Sequence, residues 1–147
     1  MVLHFTIDVS RPLKEVFQFA SNLNNLPKVQ PGFVKILKGS GSHKKGGKFL
    51  LLFWQSLFPT LWYGKISDFQ ENRSFTDIQI FGPFKKWTHT HTFQAISGGT
   101  RLEDYVEYEL WGGFLGRWLD RTYIHPLLEK MYAHRMKRAL EILGAPV

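Results

Sequence analysis

Apolar and polar positions in this chain follow a period of two over most of residues 2–108 and a period of three to four over residues 113–143. Weak alternation over residues 2–9 predicts a first strand. Ser10, as an N-cap ahead of Pro12, predicts a short helix with Val16, Phe17 and Ala20 on its apolar side. The run Ser21-Asn-Leu-Asn-Asn breaks that helix, and residues 26–30 predict one further helical turn. A second strand is expected over residues 33–37. Residues 38–47, rich in Gly, Ser and Lys, read as a polar loop with little structure of its own. Residues 48–57 form the most apolar strand, with Pro59 marking the turn after it. Residues 60–70 form the next strand, with Trp62, Gly64 and Ile66 on one face.

Residues 75–108 predict three consecutive antiparallel strands, punctuated by Gly82-Pro83 and by Ser97-Gly98-Gly99. The middle strand places Trp87, His89, His91 and Phe93 on one face and Thr88, Thr90 and Thr92 on the other. In the third strand Leu102, Asp104, Val106 and Tyr108 share one face, and Glu103, Tyr105, Glu107 and Glu109 the other. Glu is rarely buried unpaired, so the Glu-rich face meets water and Asp104 and Tyr108 point inward. An inward face with polar groups among aromatics suggests a pocket rather than a plain core. From Gly113 onward, Leu115, Trp118, Leu119, Tyr123, Leu127, Met131, Ala139 and Leu143 make a roughly helical stripe. Pro126 is placed to kink it, and Gly144 with Pro146 to end it. The order is one strand, two short helices, about six strands and one long helix. The long helix is the element large enough to cover the inner face of the sheet.

The 147 residues suit a single domain, with no linker or repeat to divide them. The absence of cysteine excludes a disulfide framework, Cys-ligated zinc and thiol catalysis. No basic start followed by a long apolar run opens the chain, and no apolar cluster approaches the length of a membrane span, so a soluble cytoplasmic protein is expected. The net charge of +7, concentrated between Lys35 and Lys48 and between Lys130 and Arg138, suits either a solvated basic surface or contact with an anionic partner. No nucleic-acid-binding motif accompanies it. Aromatic residues reach 16%, including 13 Phe and 5 Trp, which suits either a well-packed core or the lining of an apolar cavity.

Three motifs carry a family resemblance: Phe75-Thr-Asp-Ile-Gln-Ile-Phe-Gly-Pro-Phe84, Trp87-Thr-His-Thr-His-Thr-Phe93 and Thr100-Arg-Leu-Glu-Asp-Tyr-Val-Glu-Tyr108. With the opening helix around Ser10-Arg-Pro-Leu-Lys-Glu, the chain resembles the START-like SRPBCC superfamily over nearly its whole length. It is most similar to bacterial ligand-binding members of the polyketide cyclase/dehydrase type. The resemblance implies an α+β helix-grip fold, in which a strongly curved antiparallel sheet of about seven strands wraps a long C-terminal helix and encloses a cavity for a hydrophobic molecule. The subgroup's usual Pro and Gly after the last strand give way here to Leu110-Trp-Gly-Gly.

The candidate ligand-binding set is Trp62, Phe75, Asp77, Gln79, Trp87, His89, His91, Phe93, Asp104, Tyr108 and Trp118. The inward placement of Phe75, Asp77 and Gln79 follows from the resemblance, since a one-residue register change would reverse them. His89 and His91 with Asp77 or Asp104 could hold a metal, but the expectation is a hydrogen-bonded polar cluster with no metal and no cofactor. His89 or His91 as base, oriented by Asp104 with Tyr108 as acid or oxyanion donor, is the catalytic alternative. The loop His43-Lys44-Lys45 could gate the mouth of the cavity or touch anionic head groups, but its expected role is a solvated hairpin tip. The leading expectation is a monomeric or weakly dimeric binder of a small hydrophobic or aromatic ligand. A cyclase/dehydratase-type enzyme and a basic-surface protein contacting membrane or nucleic acid are the alternatives.

Overall fold

The computed structural model describes residues 1–54 and 58–144. Strand β1 (Val2–Val9) is followed by helix α1 (Leu13–Ala20), a 3-10 turn (Leu23–Asn25) and helix α2 (Leu26–Val29). Strands β2 (Phe33–Lys38), β3 (Lys48–Trp54), β4 (Thr60–Gln70), β5 (Ser74–Phe81), β6 (Lys86–Ile96) and β7 (Gly99–Glu109) come next. Helix α3 (Gly113–Leu119), a π turn (Asp120–Ile124) and helix α4 (His125–Leu143) complete the fold. The strands form one antiparallel sheet in the order β1-β7-β6-β5-β4-β3-β2, so β1 closes on the last strand and β2 lies at the far edge. This is the α+β helix-grip architecture. The C-terminal helical path covers the sheet's inner face.

The period-two faces are reproduced. Trp87, His89 and Phe93 of β6 and Leu102, Asp104, Val106 and Tyr108 of β7 are buried, while Glu107 and Glu109 are exposed. Register shifts in the β4–β5 pairing near Gly64 and Ser67, and in the β2–β3 pairing near Leu37, bend the sheet. Gly64 has no side chain because the Phe49 ring occupies the space a Cβ would need. One apolar cluster gathers around Val9, Val16, Phe17, Phe75 and Phe93; a second gathers around Trp87, Val106, Tyr108, Leu128 and Tyr132.

Three local expectations are revised. Pro12, not Ser10, precedes α1, and no side chain caps that helix; the Ser10 N–H instead donates to the Gly144 carbonyl over 2.9 Å. The 38–47 loop is held in place: the His43 N–H donates to Ser21 O, the Leu23 N–H to Gly41 O and the Gly46 N–H to Ile66 O. Strand β3 ends at Trp54; Leu57, expected in that strand, and Pro146, expected beyond the last helix, lie outside the described residues.

The helical stripe holds in α4 but not in α3. Leu127 and Met131 are partly buried and Ala139 and Leu143 buried, joined by Leu128, Tyr132 and Met136, whereas Leu115, Trp118, Leu119 and Tyr123 are exposed. A π turn separates the two helices. The His125 N–H donates to Asp120 O, five residues back, which adds a residue to one turn and rotates α3 about the helical axis relative to α4. Pro126, with no N–H to donate, stands at the start of α4, where that loss is tolerated.

Candidate functional site

Between the sheet's inner face and helices α1, α2 and α4 lies a cavity of about 370 Å³. Its walls are mostly apolar, with Phe49, Leu51, Trp62 and Trp87 from the sheet facing Leu128 and Met136 from α4. Pro83 and Tyr123 are exposed members of the lining, so the cavity reaches the surface between the β5–β6 turn and the helical path.

One wall is polar. Strand pairing sets Asp77 of β5 opposite His89 of β6, and His91 of β6 opposite Asp104 of β7, with all four side chains on the inner face. The two imidazole centroids are 3.8 Å apart. Asp77 Oδ2 lies 3.5 Å from His89 Nδ1 and 3.4 Å from His91 Nε2. On the other side, Asp104 Oδ1 lies 2.7 Å from His91 Nδ1 and 3.5 Å from His89 Nε2. Each ring is therefore held between the same two carboxylates. Asp104 Oδ1 is thus closely paired with His91, while His89 Nε2, 3.5 Å from the same oxygen, has no hydrogen-bond partner. Phe75 stacks on His91 at 4.2 Å and fixes its ring plane from outside the cavity.

Charge is divided unequally among these groups. Burial opposes a proton on His91, but Asp104 and Asp77 outweigh it and raise its pKa to about 9. Burial, with the cation on His91 beside it, lowers the pKa of His89, so His89 is the neutral ring. Burial likewise opposes ionisation of Asp77 and Asp104, yet the imidazoles hold both carboxyls below the usual range. His43 also lines the cavity, and burial lowers its pKa to about 4.

Helix α4 adds Tyr132, fully buried, whose hydroxyl lies 3.4 Å from His89 Nδ1. Burial raises its pKa, so it is a neutral phenol. One turn on, Arg135 places its guanidinium over the Tyr132 ring at 5.1 Å and donates to Gln30 Oε1 at 2.5 Å.

Of the residues singled out from sequence, Trp62, Asp77, Trp87, His89, His91 and Asp104 line the cavity. Phe75 and Phe93 lie behind them in the apolar cluster around Phe17. Gln79 faces the β5–β6 turn instead: its amide donates to Phe84 O at 2.7 Å and accepts from the Phe84 N–H at 3.2 Å. Tyr108 does not join the imidazoles. Its hydroxyl donates to Asp120 Oδ1 at 2.6 Å and meets His125 Nδ1 at 2.8 Å, because β7 carries it two register steps past Asp104, toward the π turn. The catalytic alternative built on His89, His91, Asp104 and Tyr108 therefore lacks its phenol arm. Trp118 is 63% exposed on α3 and is not part of the cavity lining. Sequence reading missed Tyr132, Arg135 and Gln30. Tyr132 is one position from the expected stripe, and nothing local marks the other two. His43, expected in a solvated hairpin tip, instead lines the cavity.

The fold recurs among solved structures. Protein CV1439 from Chromobacterium violaceum superposes with a TM-score of 0.76 at 14% identity, covering 97% of this chain and 96% of that one. TTHA0849 from Thermus thermophilus gives 0.73 at 15% identity, covering 97% and 99%. Ara h 8.0201 gives 0.70 at 13% identity, covering 97% of each chain. At these identities the likeness shows the fold alone, a helix-grip architecture. No family model and no curated protein matches the sequence.

Proposed function

We propose that this protein binds a small hydrophobic molecule, aromatic or aliphatic with at least one polar group, in the cavity between the sheet and α4. The supporting observation is a space of about 370 Å³ walled by aromatic and aliphatic side chains, with a few polar groups converging on one side. Ligand pockets have this composition and commonly measure about 300–1,000 Å³. Two polar poles are available to orient a ligand: the His89–His91–Asp77–Asp104 wall and the guanidinium of Arg135. Titration with an environment-sensitive hydrophobic dye, paired with native mass spectrometry, tests the reading. Saturable uptake at one molecule per chain is expected; a folded protein that takes up none rejects it.

A second reading concerns where the ligand is exchanged. Trp111, Phe114, Leu115, Trp118 and Tyr123 are all at least half exposed, and Arg117 and Arg121 stand exposed among them. The alternating strands put Phe58 of the β3–β4 connection and Phe81 of β5, also exposed, at the same end of the sheet. Aromatic side chains flanked by basic ones suit the interface of an anionic bilayer, where the rings lie at headgroup depth and the guanidinium groups meet lipid phosphates. Tyr123 belongs both to this rim and to the cavity lining, so the rim borders the cavity's opening. Among the described residues no helix is long and apolar enough to cross a membrane, so the contact is peripheral.

A further inference from the structure

The geometry points to a divalent transition-metal site formed by Asp77 Oδ2, His89 Nδ1 and His91 Nε2, opening into the cavity. The three donor atoms all lie within 4.8 Å of one another. The carboxylate oxygen is 3.5 Å from one nitrogen and 3.4 Å from the other. Tetrahedral bonds of about 2.0–2.1 Å place neighbouring donors roughly 3.3–3.4 Å apart, so an ion needs only small side-chain adjustments to enter.

One unpartnered atom supplies an independent reason. His89 is 3% exposed, yet its Nε2 has no hydrogen-bond partner, whereas Asp104 Oδ1 is held by the His91 ring at 2.7 Å. His89 Nε2 and Asp104 Oδ1 face one another on the side away from Asp77, at 3.5 Å. An ion on the Asp77 side requires the bound nitrogen of each ring to be unprotonated. The other nitrogen then carries its proton and faces Asp104. That is the usual support of a metal-bound imidazole: the far N–H donates to a carboxylate that fixes tautomer and ring orientation. Occupancy would fix the proton of His89 on Nε2, facing Asp104, and place a cation among two buried carboxylates.

Two imidazoles and one carboxylate leave coordination positions open. Because Asp77, His89 and His91 all line the cavity, those positions face the enclosed space. The donor set suits Zn²⁺, Fe²⁺ or Co²⁺ rather than Ca²⁺ or Mg²⁺, which prefer oxygen ligands. A hydrophobic ligand with a carboxylate, carbonyl or phenolate oxygen would complete the shell. The site stands apart from the proposed ligand binding, since an apolar molecule can enter without an ion.

The test uses the full chain after chelator treatment, titrated with Zn²⁺ by calorimetry and with Co²⁺ by visible absorption. One equivalent should bind, the thermal midpoint should rise, and Co²⁺ should give the spectrum of a four- or five-coordinate ion. Asp77→Asn and His89→Gln should each weaken Zn²⁺ binding at least about tenfold, while His134→Gln, on the exposed side of α4, should not. If either site variant fails to fold, paramagnetic broadening of histidine ring resonances by Co²⁺ in the unaltered protein decides. Broadening of His89 and His91 supports the site, and broadening confined to His4, His125 and His134 overturns it. Failure of the folded, stripped protein to bind Zn²⁺, or wild-type affinity in folded Asp77→Asn and His89→Gln variants, also overturns it. Dye uptake by the metal-free protein is measured separately, so either proposal can fail alone.

Discussion

The Tyr108 hydroxyl donates a 2.6 Å hydrogen bond to Asp120 Oδ1, joining the last strand to the π turn. Asp120 is only 4% exposed, so its carboxylate depends on partners inside the protein. Tyr108→Phe removes the donor and leaves that carboxylate buried. A loss of about 1–3 kcal/mol is expected, read as a lower urea midpoint at unchanged slope. Dye affinity should change little, because Tyr108 lies outside the cavity lining.

His91 ties stability to pH in the metal-free protein. Its pKa rises from the ordinary 6.5 to about 9 in the folded state, so the folded state holds the proton more tightly. The resulting stabilisation is fully present below 6.5 and is lost as pH climbs through 9. Asp77 and Asp104, shifted downward, stay ionised across that window and contribute no slope there. Urea midpoints measured with chelator from neutral pH upward should therefore fall, and the fall should flatten in His91→Gln.

Asp104 is one of the two carboxylates that both imidazoles share, and the one nearest His91. Asp104→Asn keeps the volume but removes the charge that faces the His91 cation. Breaking a buried pair on one side costs about 3–5 kcal/mol. Equilibrium denaturation below neutral pH, where His91 is charged, should show the largest loss.

Gly64 of β4 lies against the Phe49 ring, and a methyl group there would enter the ring's own space. Gly64→Ala should destabilise the protein by about 1–3 kcal/mol through overpacking. Adding Phe49→Leu should recover part of that loss, and a double-mutant cycle on denaturation free energies measures the coupling.

Ala139 is a buried residue of α4 that lines the cavity. Ala139→Leu extends an apolar chain into the enclosed space and keeps a good helix former in place. Dye affinity should drop several-fold while the thermal midpoint holds or rises. On the outer rim, Trp118→Ser together with Arg121→Glu should reduce co-sedimentation with anionic vesicles and leave dye affinity unchanged. Binding to vesicles should also weaken as salt is raised, because the Arg–lipid attraction is screened. If size-exclusion chromatography with light scattering instead shows a dimer that the rim variants dissociate, a second copy covers the rim and the membrane reading fails.

Period and punctuation along the chain carry a specific part of this structure. The alternation Trp87-x-His89-x-His91-x-Phe93 and Leu102-x-Asp104-x-Val106-x-Tyr108 sorts side chains between two faces, because a pleated strand has no third direction for them. Turn residues such as Gly98, with φ of 79°, announce where the chain reverses. That was enough to read the element order, the inward face and three of the polar cavity residues, His89, His91 and Asp104; the inward placement of Asp77 came from the family resemblance.

The rest depended on distance and phase in three dimensions. Tyr108 and Asp104 share a face but not a neighbourhood: four positions apart along β7, Tyr108 meets Asp120 of the π turn and Asp104 meets His91 of β6. The π turn before Pro126 rotates α3 relative to α4. Beyond it Tyr132 meets His89 and before it Trp118 stands in solvent, and helical periodicity assumes that such a turn is absent. His43, in an unremarkable Gly- and Lys-rich loop, enters the site because backbone bonds from Ser21 and Ile66 draw that loop over the cavity. Strand chemistry is local and legible along the chain, whereas the pairing of buried charges is set by elements that meet only after the sheet has curved around its helix.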